Sequence, residues 1–83
     1  MTIDMHEISQ IVCFHRKRSG LSRNRLADIA GIGKTLLYDI EHGKETVKIL
    51  GLLKVLDTLN IKLLLDSPLM EDYRDQEAKI EKS

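Results

Sequence analysis

Residues 21–43 read LSRNRLADIAGIGKTLLYDIEHG, and the fold turns on how this stretch divides. Ser22 can cap a helix with its hydroxyl, and Leu26, Ala27, Ile29 and Ala30 follow at helical spacing as far as Gly31. A second short helix starts near Gly33, carries Leu37 and Ile40 on one face and runs to His42, with Gly43 as its stop. Two short helices therefore meet at a glycine turn. Ala27 falls where they approach and only a small side chain fits, Gly31 allows the sharp turn, and Ile32, Leu37 and Ile40 anchor the second helix. Lys34, Thr35, Leu36, Tyr38 and Asp39 are expected on its outer surface, and a helix held this way can enter a DNA major groove N-terminus first.

Working outward, Ile8, Ile11, Val12 and His15 recur at helical spacing and predict a helix from about Asp4 to Ser19, stopped by Gly20. On the other side, Thr46 is a candidate N-cap for a helix with Ile49, Leu52, Leu53, Leu56 and Leu59 on one face and a left-handed exit at Asn60. Gly51 inside it costs about 1 kcal/mol relative to Ala, so either a neighbouring backbone passes close or the position is simply tolerated. Ile61-Lys62-Leu63-Leu64-Leu65 is too short for a helix and reads as a strand, bounded by Asn60 and by Asp66-Ser67-Pro68. A lone strand leaves its backbone groups unpaired, and pairing with the same strand of a second copy resolves that. So small a domain also has too few inward positions for all its leucines, and Leu56, Leu59, Ile61, Leu63 and Leu65 are the expected dimer contacts.

From Ser67 onward the chain turns polar, with Met70, Tyr73 and Ile80 too sparse to bury a helix well, and the expectation is disorder or a frayed helix. The expected organisation is one DNA-binding and dimerisation domain over residues 1–66 and an acidic, flexible tail over 67–83. The fold class is all-α, a bundle of four to five helices with a short C-terminal strand that pairs across a dimer.

With 83 residues, 13 Lys+Arg and 13 Asp+Glu, the chain has room for one small core and none for a large enzyme fold. Its composition is 42% hydrophobic but only 4% aromatic, without Trp, so aliphatic side chains must build the core. Zero net charge hides an asymmetry. Between His15 and Thr35, Arg16, Lys17, Arg18, Arg23, Arg25 and Lys34 stand against Asp28 alone, a plausible phosphate-facing patch. Arg16-Lys17-Arg18 reads equally as a solvated helix end favoured by the helix dipole. From Asp66 on, six carboxylates face three cations.

These residues resemble the XRE family of phage-repressor and Cro-type helix-turn-helix proteins, whose pattern is a threonine-glutamine start, a mid-helix Ala, a Gly turn and a Glu-Asn-Gly ending. The corresponding residues are Ser22-Arg23, Ala27, Gly31 and Glu41-His42-Gly43. Residues 52–63, LLKVLDTLNIKL, are similar to the closing helix and strand of HipB-like antitoxins, so the resemblance covers about Ile8 to Leu65. It implies a lambda-repressor-like domain, dimeric through the last helix and a shared two-stranded lid, that reads a palindromic operator, represses its own operon and neutralises a HipA-like toxin kinase. Carried onto this chain, the base-reading positions are Gly33, Lys34, Thr35 and Asp39: Lys34 toward guanine O6 and N7, Thr35 toward a thymine methyl or base edge, and Asp39 toward cytosine N4. Ser22, Arg23, Arg25, Tyr38 and Lys44 become the backbone-contact candidates. Two departures stand out. Gly33 replaces the usual Ser or Thr and loses a cap, and Arg23 replaces the common Gln, which moves that contact toward pure charge.

Other chemistry finds little footing. Gly31-Ile32-Gly33-Lys34-Thr35 imitates the end of a phosphate loop, but that loop needs glycine at position 28, which is Asp28, and a preceding strand. His6, His15, His42 and Cys13 have no metal-ligand spacing, Cys13 reads as a small buried hydrophobe, and neither a catalytic set nor a cofactor site is expected. A single cysteine and no hydrophobic leader point to a cytoplasmic, nucleoid-associated protein without a membrane partner. The alternative function is a protein-interaction module whose helices and acidic tail bind a partner protein, with weak DNA affinity.

Overall fold

The computed structural model describes residues 3–82. Five helices follow one another: α1 (Met5–Arg18), α2 (Arg23–Ala30), α3 (Lys34–Glu41), α4 (Ile49–Thr58) and α5 (Met70–Lys82). The Asp4 carboxylate caps α1 by accepting from the Glu7 N–H at 2.9 Å, and the Ser22 hydroxyl caps α2 by accepting from the Arg25 N–H at 3.1 Å. Gly31 turns the chain out of α2 at φ 71°, and the following Ile32 N–H donates back to the Ala27 carbonyl at 3.0 Å. Asn60 makes the same left-handed exit from α4 at φ 59°, with the Ile61 N–H on the Leu56 carbonyl at 2.8 Å.

Helix α3 packs against α1, α2 and α4, and α2 also packs on α4. Val12, Leu26, Ala27, Leu37, Ile40 and Val55 are fully buried, and Leu52, Leu56 and Leu59 close the core, which contains no aromatic ring. Leu56 and Leu59, expected at a dimer interface, are thus buried inside the chain itself, because α4 turns that face toward α2 and α3.

The inner face of α1 differs from the apolar reading. It runs through Met5, Ser9, Val12 and Arg16, while Ile11 is 37% exposed. Two of these inward positions are polar, and each is satisfied where it sits. The Ser9 hydroxyl donates to the His6 carbonyl at 2.6 Å. Arg16 forms a two-pronged ion pair with Glu41, Nε to Oε2 at 2.7 Å and Nη2 to Oε1 at 3.0 Å, and its Nη1 donates to the Leu21 carbonyl at 2.9 Å. The arginine side chain is 9% exposed and the glutamate 3%. Arg16 therefore is neither a solvated helix end nor a phosphate contact. Its hydrogen bond to Glu41 holds the guanidinium pKa above the ordinary arginine value despite burial, so Arg16 keeps its charge throughout the neutral range.

Two expectations about α4 are corrected. The helix begins at Ile49 with Lys48 at the N-cap and no side-chain cap, since Val47 packs on the core and the chain runs on past Thr46 before it turns. At Gly51 it is a side chain, not a backbone, that comes close: a Cβ there would overlap the Leu36 Cδ2 methyl. Leu36 is accordingly half-buried against α4 instead of facing outward from α3.

Beyond Asn60, residues 61–67 have no regular structure within the chain, and Ser67 starts a turn in which the Met70 N–H donates to its carbonyl at 3.1 Å. The segment expected as disorder or a frayed helix carries α5, whose residues from Glu71 to Glu77 are all exposed. No helix among the described residues is long and apolar enough to cross a membrane.

Arg16→Met, which strands Glu41 as a buried unpaired charge, is expected to lower stability by about 3–5 kcal/mol. Adding Glu41→Leu should recover part of that loss, and urea unfolding of the two variants measures both.

Candidate nucleic-acid interface

The turn at Gly31 sets α3 on the surface with its N-terminus free. Gly33 is the N-cap and contributes no side-chain hydrogen bond, so the first N–H groups of α3 have no side-chain acceptor there. Lys34 and Thr35 follow in the first turn and are exposed. Together with Arg23 and Asn24 at the start of α2, and with Tyr38, they line one shallow cleft between the two helices. Four of the expected contact residues, Arg23, Lys34, Thr35 and Tyr38, are thereby brought together.

Arg23 is held there by two contacts. Its Nε lies 3.5 Å from the Glu41 carboxylate, and its guanidinium carbon stands 5.7 Å from the centre of the Tyr38 ring. The side chain keeps 46% of its surface exposed. Glu41 is already bonded through both oxygens to Arg16, so Arg23 is oriented by the buried pair without being neutralised by a carboxylate of its own. Charge on this side chain remains available to an external anion.

The remaining candidates are placed differently. Asp39 is half-buried, and its carboxylate lies 3.6 Å from Lys44 Nζ, so the expected cytosine reader and one expected phosphate contact face each other. The Lys44 N–H also donates to the Asp39 carbonyl at 3.0 Å. Ser22 uses its hydroxyl to cap α2, and Arg25 is exposed on the same helix. Leu36 leaves the candidate surface for the reason given above. Asn24 was missed by sequence reasoning, although it stands between two of the arginines singled out. His42, outside the lining of that cleft, is exposed, and its ring stacks on Tyr38 with centroids 3.8 Å apart and planes at 20°.

A phosphate-loop reading fails on geometry, since a helix, α2, precedes Gly31 and not a strand. No group of His, Cys, Asp and Glu among the described residues could hold a metal ion.

The helix-turn-helix family model matches residues 15–65, which includes both helices of the motif, α4 and the segment after it. This chain belongs to the XRE-type helix-turn-helix family. An uncharacterized HTH-type transcriptional regulator of Sinorhizobium fredii, y4mF, is 36% identical over 62 residues, which span 75% of this chain and 82% of that one. Family membership makes the protein one of the helix-turn-helix transcriptional regulators. Among solved structures, one named "MDT Protein" and one named "HipB-O4 20mer complex" each superpose with a TM-score of 0.71 over 82% of this chain and 96% of theirs. A chain of a "HipA-HipB-O2-O3 complex" matches to the same extent. Sequence identity to these structures is 16%, so the likeness is one of fold.

The exposed guanidinium of Arg23 predicts a contact with DNA through charge and not through base reading. Arg23→Ala is expected to weaken binding to all duplexes alike and to reduce the salt slope of log K by about 1, as measured by fluorescence titration at several salt concentrations.

Proposed function

We propose that the protein is a homodimeric, sequence-specific repressor of double-stranded operator DNA, and that it serves as the autoregulating antitoxin of a HipB-like toxin–antitoxin operon. The observation that carries the DNA-binding part is the cleft in which Lys34 and Thr35, at the exposed N-terminus of α3, stand beside Arg23 and Tyr38. A groove-entering helix needs side chains able to read bases in its first turn and cations on its flank, and the polar Lys34 and Thr35 with Arg23 beside them support that reading. The antitoxin part draws on the closing leucine-rich segment and on the fold shared with the HipB complexes, one of which also contains HipA.

The dimer rests on residues 61–65. No hydrogen bond within the chain, among the described residues, involves the backbone groups of residues 62–65. Leu63, Leu64 and Leu65 are 49%, 83% and 71% exposed, and Ile49, Leu50 and Leu53 on the outer face of α4 are exposed too. A second copy satisfies both demands by pairing the strand and covering the leucines. Since Leu56 and Leu59 are core, the contact falls to Ile61, Leu63 and Leu65 together with that outer face. Two recognition helices related by the dimer axis then read half-sites about 34 Å apart, one turn of the double helix.

A fluorescence titration of the upstream promoter fragment at two salt concentrations tests the repressor. Salt-sensitive binding that survives competitor DNA is the expected result, with Lys34→Ala costing about 1–3 kcal/mol and relaxing preference at one base pair. Affinity no better than for random DNA overturns the operator reading. Light scattering tests the dimer: Leu63→Asp combined with Leu65→Asp should convert a dimer to a folded monomer, and a wild-type monomer overturns strand pairing.

A further inference from the structure

Helix α5 stands apart from the body that carries the DNA-facing cleft. The last described side chain that belongs to the core or is half-buried against it is Ile61. The Cα radius of gyration, 15.6 Å, exceeds the about 12 Å of a compact chain of this length. The helix is nevertheless set at a defined place. Pro68 fixes its own φ, the Asp66 carboxylate accepts from the Ser67 N–H at 2.9 Å, and the Ser67 hydroxyl accepts from the Leu69 N–H at 3.3 Å. The Tyr73 N–H then donates to the Leu69 carbonyl at 3.0 Å. This turn lays the start of α5 beside residues 63–65 and leaves an apolar groove between them, lined by Leu63, Leu64, Leu65, Leu69, Met70 and Tyr73. All of these but Met70 are exposed.

A helix of 13 residues is marginal in water without a packed face, and both walls of this groove are apolar, so the groove calls for cover. Three observations choose the occupant. Leu63 and Leu64 also line the neighbouring groove against α4, with Leu53, Leu56 and Ile61, so the apolar surface of the dimer contact continues onto α5 without a break. The charged residues of the groove are one of each sign, Arg74 and Glu77, and among the described residues neither is in an ion pair. Under a twofold axis a patch meets itself, so Arg74 of one copy can face Glu77 of the other, and the groove suits its own copy better than a strongly charged partner. Finally, residues 61–65 with Ile49, Leu50 and Leu53 fall well short of the roughly 20–30 residues per partner that a stable interface occupies, and the turn and α5 move the contact toward that size.

We propose that α5 forms a second layer of the dimer, in which the groove beside residues 63–65 is filled by the same elements of a second copy. This rests on the dimer reading. Strand pairing then satisfies the backbone groups of residues 62–65, and the stripe of Leu69, Met70 and Tyr73 covers leucine side chains that pairing alone leaves in water. Glu71, Asp72 and Asp75 lie outside the groove and keep their solvent. The acidic segment is thereby a structural arm of the dimer.

The test uses the full chain. Sedimentation equilibrium over a dilution series gives the dimer dissociation constant of wild type, of Leu69→Asp combined with Tyr73→Asp, and of Glu71→Gln outside the groove. Neither Leu69 nor Tyr73 belongs to the core, so the domain folds in the double variant. Its constant should rise about tenfold or more, while Glu71→Gln should stay within about twofold of wild type. In a dimer mixed from isotope-labelled and unlabelled chains, NMR should show contacts between the Tyr73 ring and leucine methyl groups of the other copy. A wild-type dimer whose constant the double substitution leaves unmoved, or one without those contacts, overturns the proposal, keeps the dimer reading and leaves the groove to a partner of another kind. A wild type that is monomeric at every concentration overturns both.

Discussion

The rest of the structure depends on the ion pair between Arg16 and Glu41. It joins the last turn of α1 to the end of α3 across 25 residues of sequence. Taking two charges out of water is costly, and the cost is met here because the partners share two hydrogen bonds and the third arginine donor finds the Leu21 carbonyl. No buried side-chain nitrogen or oxygen among the described residues lacks a partner. The pair also fixes the direction in which α3 leaves the body, because Glu41 is the last residue of that helix.

Function follows from the same pair one contact further out. Glu41 reaches Arg23 at 3.5 Å, and Arg23 lies over Tyr38, so a half-exposed cation of the cleft is positioned by a carboxylate that is otherwise buried. A surface arginine alone would sample many rotamers and lose that freedom on binding. One held by an ion pair and an aromatic ring loses less. Asp39 and Lys44, by contrast, face each other across 3.6 Å.

Leu36 and Gly51 show how packing decides what the recognition helix presents. By spacing, Leu36 is expected on the outer surface of α3 with Thr35 and Tyr38. In the folded chain it turns toward α4 and occupies the space that any side chain at position 51 would need. The glycine thus accounts for two things at once, its own presence inside a helix and the removal of a leucine from the outer face.

Sequence alone determined the helix-turn-helix pair, since Ser22, Gly31 and Gly43 act through local backbone chemistry and need no distant partner. It also determined the aliphatic core at Leu26, Leu37, Ile40 and Leu52, where helical spacing and burial agree, and the cluster of Arg23, Lys34, Thr35 and Tyr38, because α2 and α3 are adjacent in the chain. Tertiary structure alone decided the rest. Arg16 and Ser9 face inward because a carboxylate and a carbonyl stand ready for them, which no periodicity of apolar residues reveals. Leu56 and Leu59 belong to the core, not to a surface, because α2 and α3 cover that face of α4. The charge of a residue can be read from its name, but whether that charge faces water, a buried partner or a ligand depends on groups brought near it only when the chain folds.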